Sequence, residues 1–425
     1  MIAIVIVLLL ALIALGLPIA VSLLIASIVY FILNGIPGML IVQQMLGGSS
    51  SFVLVAIPLF VLAGQLMNNG GITRRIIRFC NALLGRSKGG LAQVNILSNM
   101  IFAGISGEAV ADTAGLGSVL IPAMKEHGYT SEYAAAITAS ASVAGPIIPP
   151  SIPMIICASL AQVSVGQMFL GGAIPGFLFV AFSLVYTYFL AGKRGFPRGP
   201  RFSFVELRAA FLDAFWALLA PIIIVGGLVS GVVTVSEAAV IAVLYVFIVG
   251  KFIYKEINLR KIASEAWYTA SLTGAIMFIL ATAKVYTYAL TREQIANVLT
   301  HGLGYLTSDH YVLFLLLLVV ALLIGAVLST TAGLLLMVPL LGPLVIQTGM
   351  DPIHFYVLIT IALCIGTLTP PVGITLYLAA SIADASPERV FMKALPYILL
   401  LLGIIVVAMF VPGIVMWLPH AVYGG

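Results

Sequence analysis

Two stretches decide the fold, Ala144-Gly-Pro-Ile-Ile-Pro-Pro-Ser-Ile-Pro153 and Gly366-Thr-Leu-Thr-Pro-Pro-Val-Gly373, and each interrupts a long apolar segment. Proline has no backbone N–H and clashes with the preceding helical turn, so a helix has to open at each stretch and free some of its carbonyl groups. A bilayer tolerates such backbone only where it faces protein or a water-filled cavity. The sequence therefore predicts two broken helices inside a membrane protein.

The two interruptions belong to an internal repeat. Residue numbers that differ by 221 pair glycine with glycine or proline with proline at several positions. The pairs are Gly104 with Gly325, Pro122 with Pro343, Gly128 with Gly349, Gly145 with Gly366, Pro149 with Pro370, Pro150 with Pro371 and Pro175 with Pro396. Glycine and proline set backbone shape, so these matches predict two copies of one fold. Paired interruptions at corresponding positions are typical of the binding site of a secondary transporter.

The composition requires lipid as the main solvent. Hydrophobic residues make up 62% of the 425 residues and charged residues only 8%, against about 25% charged in a soluble domain. The apolar runs are long and not alternating, which excludes an outer-membrane barrel. At roughly 20 residues per span they predict about eleven membrane-crossing elements, with each hairpin counted as one. The opening run Met1 to Leu15 has no basic flank and is expected to be the first membrane helix, not a cleaved signal.

Basic residues predict the orientation in the membrane. They cluster within residues 74–88, 193–208, 251–261 and 389–393. The positive-inside rule places these four stretches in the cytoplasm. The net charge of +5 is thus expected to report topology and contact with anionic lipid, not nucleic-acid binding.

This orientation makes the two repeats inverted. Segment 89–125 leaves the cytoplasm and returns to it as a hairpin, and segment 310–345 is a hairpin that enters from the outside. Both termini are then periplasmic. We predict an all-α polytopic membrane protein with two inverted-topology repeats, re-entrant helical hairpins and discontinuous helices.

The repeats predict six regions. They are scaffold helices in 1–88, the hairpin and broken helix of a transport domain in 89–165, the last helix of the first repeat with a basic cytoplasmic linker in 166–208, scaffold helices in 209–305, the second hairpin and broken helix in 306–384, and the last helix with a periplasmic C-terminus in 385–425.

The hairpin tips and the breaks are the candidate site. The first tip, Gly104 to Gly115, carries two acids four residues apart, Glu108 and Asp112. An acid inside the membrane indicates function by default, but a tip at the cytoplasmic water interface explains these two equally well. In the second break, free carbonyls and the hydroxyls of Thr367 and Thr369 form a set of hard oxygen ligands that suits Na⁺.

The sequence resembles the large membrane subunit of TRAP (tripartite ATP-independent periplasmic) transporters, within the wider ion-transporter superfamily. The resemblance lies in Ser106-Gly-Glu-Ala-Val-Ala-Asp112, Gly145-Pro-Ile-Ile-Pro-Pro-Ser151, Ser236-Glu-Ala-Ala239 and Thr367-Leu-Thr-Pro-Pro-Val-Gly373. It implies an elevator-type carrier in the bacterial inner membrane that couples transport to Na⁺. It also implies two partners, a small four-helix membrane subunit and a periplasmic binding protein that delivers the substrate.

The resemblance also implies site residues. The ion sites are expected at Ser106, Gly145, Gly325, Gly366, Thr367, Thr369 and Val372. Candidate substrate contacts are Ser106, Glu108, Asp112, Pro149, Pro150, Ser329, Thr330, Thr331, Pro370 and Pro371. The expected substrate is a small organic acid, with sialic acid favoured over a C4-dicarboxylate.

The sequence gives less support to an enzyme than to a transporter. The chain has no P-loop or HExxH signature and no GxSxG with a partnering histidine in mid-membrane, so an ATPase or an intramembrane protease is not expected. A stand-alone Na⁺- or H⁺-coupled organic anion carrier or antiporter of the same superfamily remains the alternative.

Overall fold

The computed structural model describes residues 2–50, 52–196, 199, 202–294 and 310–424, and within them the chain is all-helical, with nineteen α-helices. They are α1 Ile2–Ala14, α2 Ile19–Leu33, α3 Met39–Ser49, α4 Ala56–Asn69, α5 Ile72–Leu84, α6 Gly90–Ser106, α7 Ala109–Glu126, α8 Ser131–Ser142, α9 Ile152–Ala161, α10 Val165–Arg194, α11 Phe204–Val229, α12 Val235–Ile248, α13 Leu259–Arg292, α14 His310–Val327, α15 Thr330–Thr348, α16 Pro352–Gly366, α17 Ile374–Ala383, α18 Pro387–Phe410 and α19 Gly413–Tyr423. A 3₁₀ turn, Phe52–Val55, precedes α4, and a π-helical turn, Val249–Ile253, follows α12.

The apolar runs of the sequence also predict individual helices, among them one over residues 264–290 and one over 394–417, with none between 35 and 50. Most of the predicted helices are confirmed, and three differ. Helix α3 lies in residues 35–50, for which no helix is predicted, because its amides and glycines dilute the apolar pattern. Helix α13 extends the predicted 264–290 at both ends. The predicted 394–417 is divided into α18 and α19 at Val411 and Pro412. The predicted regional boundary between 305 and 306 falls outside the described residues.

Short paired helices take the place of several long spans. Among the described residues, five helices are long and apolar enough to cross a membrane alone: α10, α11, α12 with its π turn, α13 and α18. Helices α8 and α9 have 12 and 10 residues. At 1.5 Å per residue each is well short of a hydrocarbon core of roughly 30 Å. A crossing at these positions therefore needs both halves of a broken helix.

The helix boundaries follow the offset of 221. Moved by that number, the hairpin helices α6 and α7 become 311–327 and 330–347, beside α14 His310–Val327 and α15 Thr330–Thr348. The broken-helix halves α8 and α9 become 352–363 and 373–382, beside α16 Pro352–Gly366 and α17 Ile374–Ala383. The glycine and proline matches thus correspond to matched helix ends.

The two broken helices begin at opposite ends of α18. Glu132, at the start of α8, pairs with Arg389 in the first turn of α18, with 3.3 Å between the charged atoms. His354, at the start of α16, places Nε2 2.9 Å from the carbonyl oxygen of Ala408 near the end of α18. The loops α7–α8 and α15–α16 therefore lie at opposite ends of a helix about 36 Å long. This is the arrangement that inverted repeats require, and the side of the membrane that each end faces stays a prediction.

Helix α5, in the first basic stretch, is amphipathic, and ion pairs hold it in place. Its buried face carries Ile72, Ile76 and Cys80. Its arginines pair with three acids on α11 and on the loop before α13. These pairs are Arg75 with Asp213 (3.0 Å) and Glu256 (2.7 Å), Arg78 with Glu206 and Asp213 (both 3.0 Å), and Arg74 with Glu256. Burial raises the pKa of Glu256, but hydrogen bonds from Arg75 and Arg74 lower that pKa more, so it lies below its ordinary value.

A very close helix crossing joins the second hairpin to the second broken helix. A Cβ added to Gly366 would lie 2.4 Å from the carbonyl carbon of Gly325 and 2.5 Å from the carbonyl oxygen of Leu322. Only glycine lets α14 and α16 approach this closely, and small residues serve this purpose in membrane helix packing.

We expect Gly366→Ala to destabilise the protein by about 1–3 kcal/mol, because the backbone of α14 has to move to admit the methyl group. The matched control is Gly403→Ala in α18, where an added Cβ meets no atom within 4 Å. Thermal unfolding in detergent measures both. Equal unfolding midpoints for the two variants would contradict the close crossing.

Candidate functional site

The tip of the first hairpin rests on the first break. Gly107 joins α6 to α7 with a φ of +66°, and a Cβ there would lie 2.4 Å from the carbonyl oxygen of Pro150. The carbonyl of Gly107 accepts a hydrogen bond from the amide of Ile152 at 3.2 Å. Glu108 caps α7, since its Oε2 accepts from the amide of Ala111 at 2.8 Å. The tip and the opened helix thus form one unit.

Asp112 is the buried acid of this unit. Its side chain is fully buried, and Oδ1 accepts a hydrogen bond from the hydroxyl of Ser106. Oδ2 has no hydrogen-bond partner, and a Cβ on Gly145 would lie 2.6 Å from it. A buried carboxylate oxygen without a partner is costly, and a cation that prefers hard oxygen ligands matches it. The structure thereby brings together the predicted ion residues Ser106 and Gly145, with Asp112 beside them.

The second hairpin meets the second break in the same way. The carbonyl of Ala326 accepts hydrogen bonds from the amides of Val372 and Gly373, both at 3.0 Å. Within the break, the hydroxyl of Thr367 donates to Cys364 O at 2.7 Å, and the hydroxyl of Thr369 donates to Ile365 O at 3.0 Å. Each hydroxyl oxygen therefore keeps lone pairs for a cation.

Two of the ion-site residues predicted for this second region, Gly325 and Gly366, are in direct backbone contact. The side chain of Val372 is 42% exposed, so its contribution to an ion site would come from its backbone.

A cavity of about 370 Å³ lies between the hairpin tips and helices α4 and α13. Four predicted substrate residues line it, two from each tip: Ser106, Glu108, Ser329 and Thr331. The opposite wall carries Gln65 and Asn68 of α4 with Tyr268 of α13, which the sequence analysis missed. Amides inside an apolar segment were the available signal, because polar groups at membrane depth indicate function. The volume falls within the range of small-molecule sites.

The other predicted substrate residues do not line this cavity. Thr330 faces away from it and places its hydroxyl 3.6 Å from Cys364 Sγ. Pro149 and Pro150 are buried in the first break, and Pro371 is exposed in the second. Both Pro–Pro bonds, 149–150 and 370–371, are cis. Pro370 and Asp112 are likewise absent from the lining.

A second space of about 550 Å³ adjoins the first and extends it toward α5. The two share Gln65, Asn68, Glu108 and Tyr268 as common wall. The second space reaches Arg74 of α5, in the basic stretch that the positive-inside rule places in the cytoplasm. The cavity thus opens toward the predicted cytoplasmic side.

Comparison with known proteins agrees with this architecture. Residues 6–414 match the family model described as tripartite ATP-independent periplasmic transporter, DctM component. The chain is 35% identical over 410 residues to the sialic acid TRAP transporter large permease protein SiaM of Vibrio cholerae, covering 96% of each chain. It is 34% identical over 451 residues to the C4-dicarboxylate TRAP transporter large permease protein DctM of the same organism, covering 100% of this chain and 98% of that protein.

A solved structure shares the fold. The crystal structure of the Alcanivorax borkumensis YdaH transporter superposes with a TM-score of 0.65 at 16% identity, covering 88% of this chain and 87% of that one. TRAP large permeases are inner-membrane proteins that work with a small membrane subunit and a periplasmic binding protein, and they are not enzymes. The match over nearly the whole chain establishes that this protein belongs to the family of TRAP transporter large permease subunits.

Proposed function

We propose that this subunit imports a small organic acid, delivered by a periplasmic binding protein, with the Na⁺ gradient as the driving force and an elevator movement as the mechanism. The observation that carries the proposal is the cavity between the two hairpin tips and helices α4 and α13. A substrate held there contacts elements of the proposed moving domain on one side and scaffold helices on the other. Movement of this domain against the scaffold helices would then open the substrate site to one side of the membrane and afterwards to the other.

Sodium coupling is supported by the oxygen atoms at the two breaks. The unpartnered Oδ2 of Asp112 provides a negative, fully buried ligand at the first break. The hydroxyls of Thr367 and Thr369 provide neutral ligands at the second. Hard oxygen donors of this kind suit an alkali cation, and discontinuous helices supply carbonyl ligands for Na⁺ in secondary transporters. We propose one ion at each break.

The elevator movement is supported by small residues at the contact between the proposed moving domain and the proposed scaffold helices. A Cβ on Gly64 of α4 would lie 3.6 Å from Cα of Ser106, and one on Gly104 would lie 2.8 Å from Cβ of Pro221 in α11. Helix α6 packs against α4 and α11, and α15 packs against α13. A flat contact of small side chains lets helices slide without withdrawing large side chains from holes.

The finer assignments also remain proposals. We favour sialic acid over a C4-dicarboxylate as substrate, although relatives named for these two substrates match the chain almost equally. We propose a separate four-helix membrane subunit, contact of the basic loops with anionic lipid, and periplasmic termini. The alternative is a stand-alone Na⁺- or H⁺-coupled organic anion carrier or antiporter.

The direct test is uptake of radiolabelled sialic acid and succinate into liposomes that contain this chain with its small subunit. We expect uptake of one acid, only with the binding protein outside and an inward Na⁺ gradient. A K⁺ gradient of the same size is the control. Uptake that follows a proton gradient, or that needs no binding protein, would contradict the proposal and support the stand-alone carrier.

A pair of threonine variants tests the second ion site. We expect Thr369→Ala to raise the Na⁺ concentration for half-maximal thermal stabilisation roughly tenfold, which corresponds to about 1.4 kcal/mol of binding free energy. Thr360→Ala is the matched control, because Thr360 also donates to the carbonyl four residues earlier, Tyr356 O at 2.7 Å, but lies inside α16. Thermal shift in NaCl against KCl measures both. If Thr369→Ala keeps the wild-type sodium response, Thr369 is not a ligand.

A further inference from the structure

The cavity contains a single type of fixed charge. Among the described residues that line it, Glu108 is the one charged side chain. The other polar side chains are neutral: Gln65, Asn68, Ser106, Tyr268, Ser329 and Thr331. This is an unusual lining for the site of an organic anion, because the one charge found on the described lining residues has the same sign as the substrate.

In the part of the chain that the structure describes, no lining residue of the adjoining space supplies an unpaired cation to cancel this charge. Arg74 is the one basic side chain among its described lining residues, and it pairs with Glu256. That space also contains a second acid, Glu265, which accepts a hydrogen bond from Asn69 Nδ2 at 2.8 Å. The adjoining space, which extends from the cavity toward α5, therefore contains a further negative charge.

Glu108 is also held in a defined position. Its Oε2 accepts from the amide of Ala111 at 2.8 Å, which fixes the side chain at the start of α7. The residue is half-buried at the wall of both spaces. A charge that cannot swing away, in a partly desolvated site, disfavours a like charge in the substrate and favours an opposite one.

We infer that Glu108 is a specificity residue that selects an organic acid with one carboxylate and a hydrogen-bond donor at its other end over a dianionic acid. This inference rests on the proposed transport of an organic acid and narrows its class to acids with one negative charge, which include sialic acid and exclude a C4-dicarboxylate. The neutral amide and hydroxyl donors of the cavity bind the carboxylate of the substrate, and Glu108 accepts a hydrogen bond from the donor group, which is an ammonium group in the probes used below. A dicarboxylate of equal length would place its second carboxylate against Glu108, and such like-charge contacts are strongly unfavourable.

The test is equilibrium binding to the large and small subunits in nanodiscs at constant NaCl. The probes are three pairs of equal length: β-alanine with succinate, 4-aminobutyrate with glutarate, and 5-aminovalerate with adipate. We expect the wild-type protein to bind the amino acid of at least one pair about tenfold more tightly than its dicarboxylate. Glu108→Gln should reduce that ratio about tenfold, since the amide oxygen can still cap α7 without the charge.

Glu237→Gln is the matched control. Glu237 also caps a helix, because its Oε2 accepts from the amide of Thr234 at 2.7 Å, but it lies outside the cavity lining. The ratio should be unchanged in this variant. A wild-type preference for the dicarboxylates, or no preference in any pair, overturns the inference.

Failure of this inference can be distinguished from failure of the proposed Na⁺-driven uptake. If Glu108→Gln changes the Na⁺ dependence of binding but leaves the ratio unchanged, Glu108 is an ion ligand and the inference is wrong. Because no ion gradient is present in this assay, failure of Na⁺-driven uptake in liposomes would leave the measured selectivity standing. The two proposals can thus fail separately.

Discussion

The rest of the structure depends on one constraint: a peptide group at membrane depth needs a partner, and two helices here are opened by proline. The hairpin tips supply that partner. The carbonyl of Gly107 accepts from Ile152 N at the first break, and the carbonyl of Ala326 accepts from Val372 N and Gly373 N at the second. The hairpins are therefore required by the breaks, because an opened helix facing lipid would leave polar groups unpaired. Matched breaks in turn explain matched hairpins.

Two carboxylates on one hairpin take different positions for a local reason. Glu108 and Asp112 are four residues apart, a spacing that places side chains on one face within a helix. Glu108, however, is the cap that precedes α7, in extended backbone, and its side chain turns back to Ala111. Asp112 lies within α7 and reaches the first break beside Gly145. One acid thus borders the cavity, and the other borders the candidate ion site.

Features that depend on backbone shape could be predicted from the sequence. Glycine and proline positions gave the offset between the repeats, and the helix ends follow it because those residues end helices. Side-chain direction could not be predicted. Thr330 and Thr331 are neighbours in a hydroxyl-rich tip, yet Thr331 lines the cavity and Thr330 faces Cys364. The wall formed by Gln65, Asn68 and Tyr268 depends on how α4 and α13 pack against the tips, which no local pattern encodes.

The central claim is that the two hairpins enter the membrane from opposite sides, and single cysteines in their connecting loops test it most directly. The native cysteines Cys80, Cys157 and Cys364 are all buried, so we expect them to react little with the thiol reagent. His127→Cys, after the first hairpin, should react with a membrane-impermeant thiol reagent only from the cytoplasm. Met350→Cys, after the second, should react only from the periplasm. Labelling of both from the same side would contradict the inverted repeat and the two-sided site built on it.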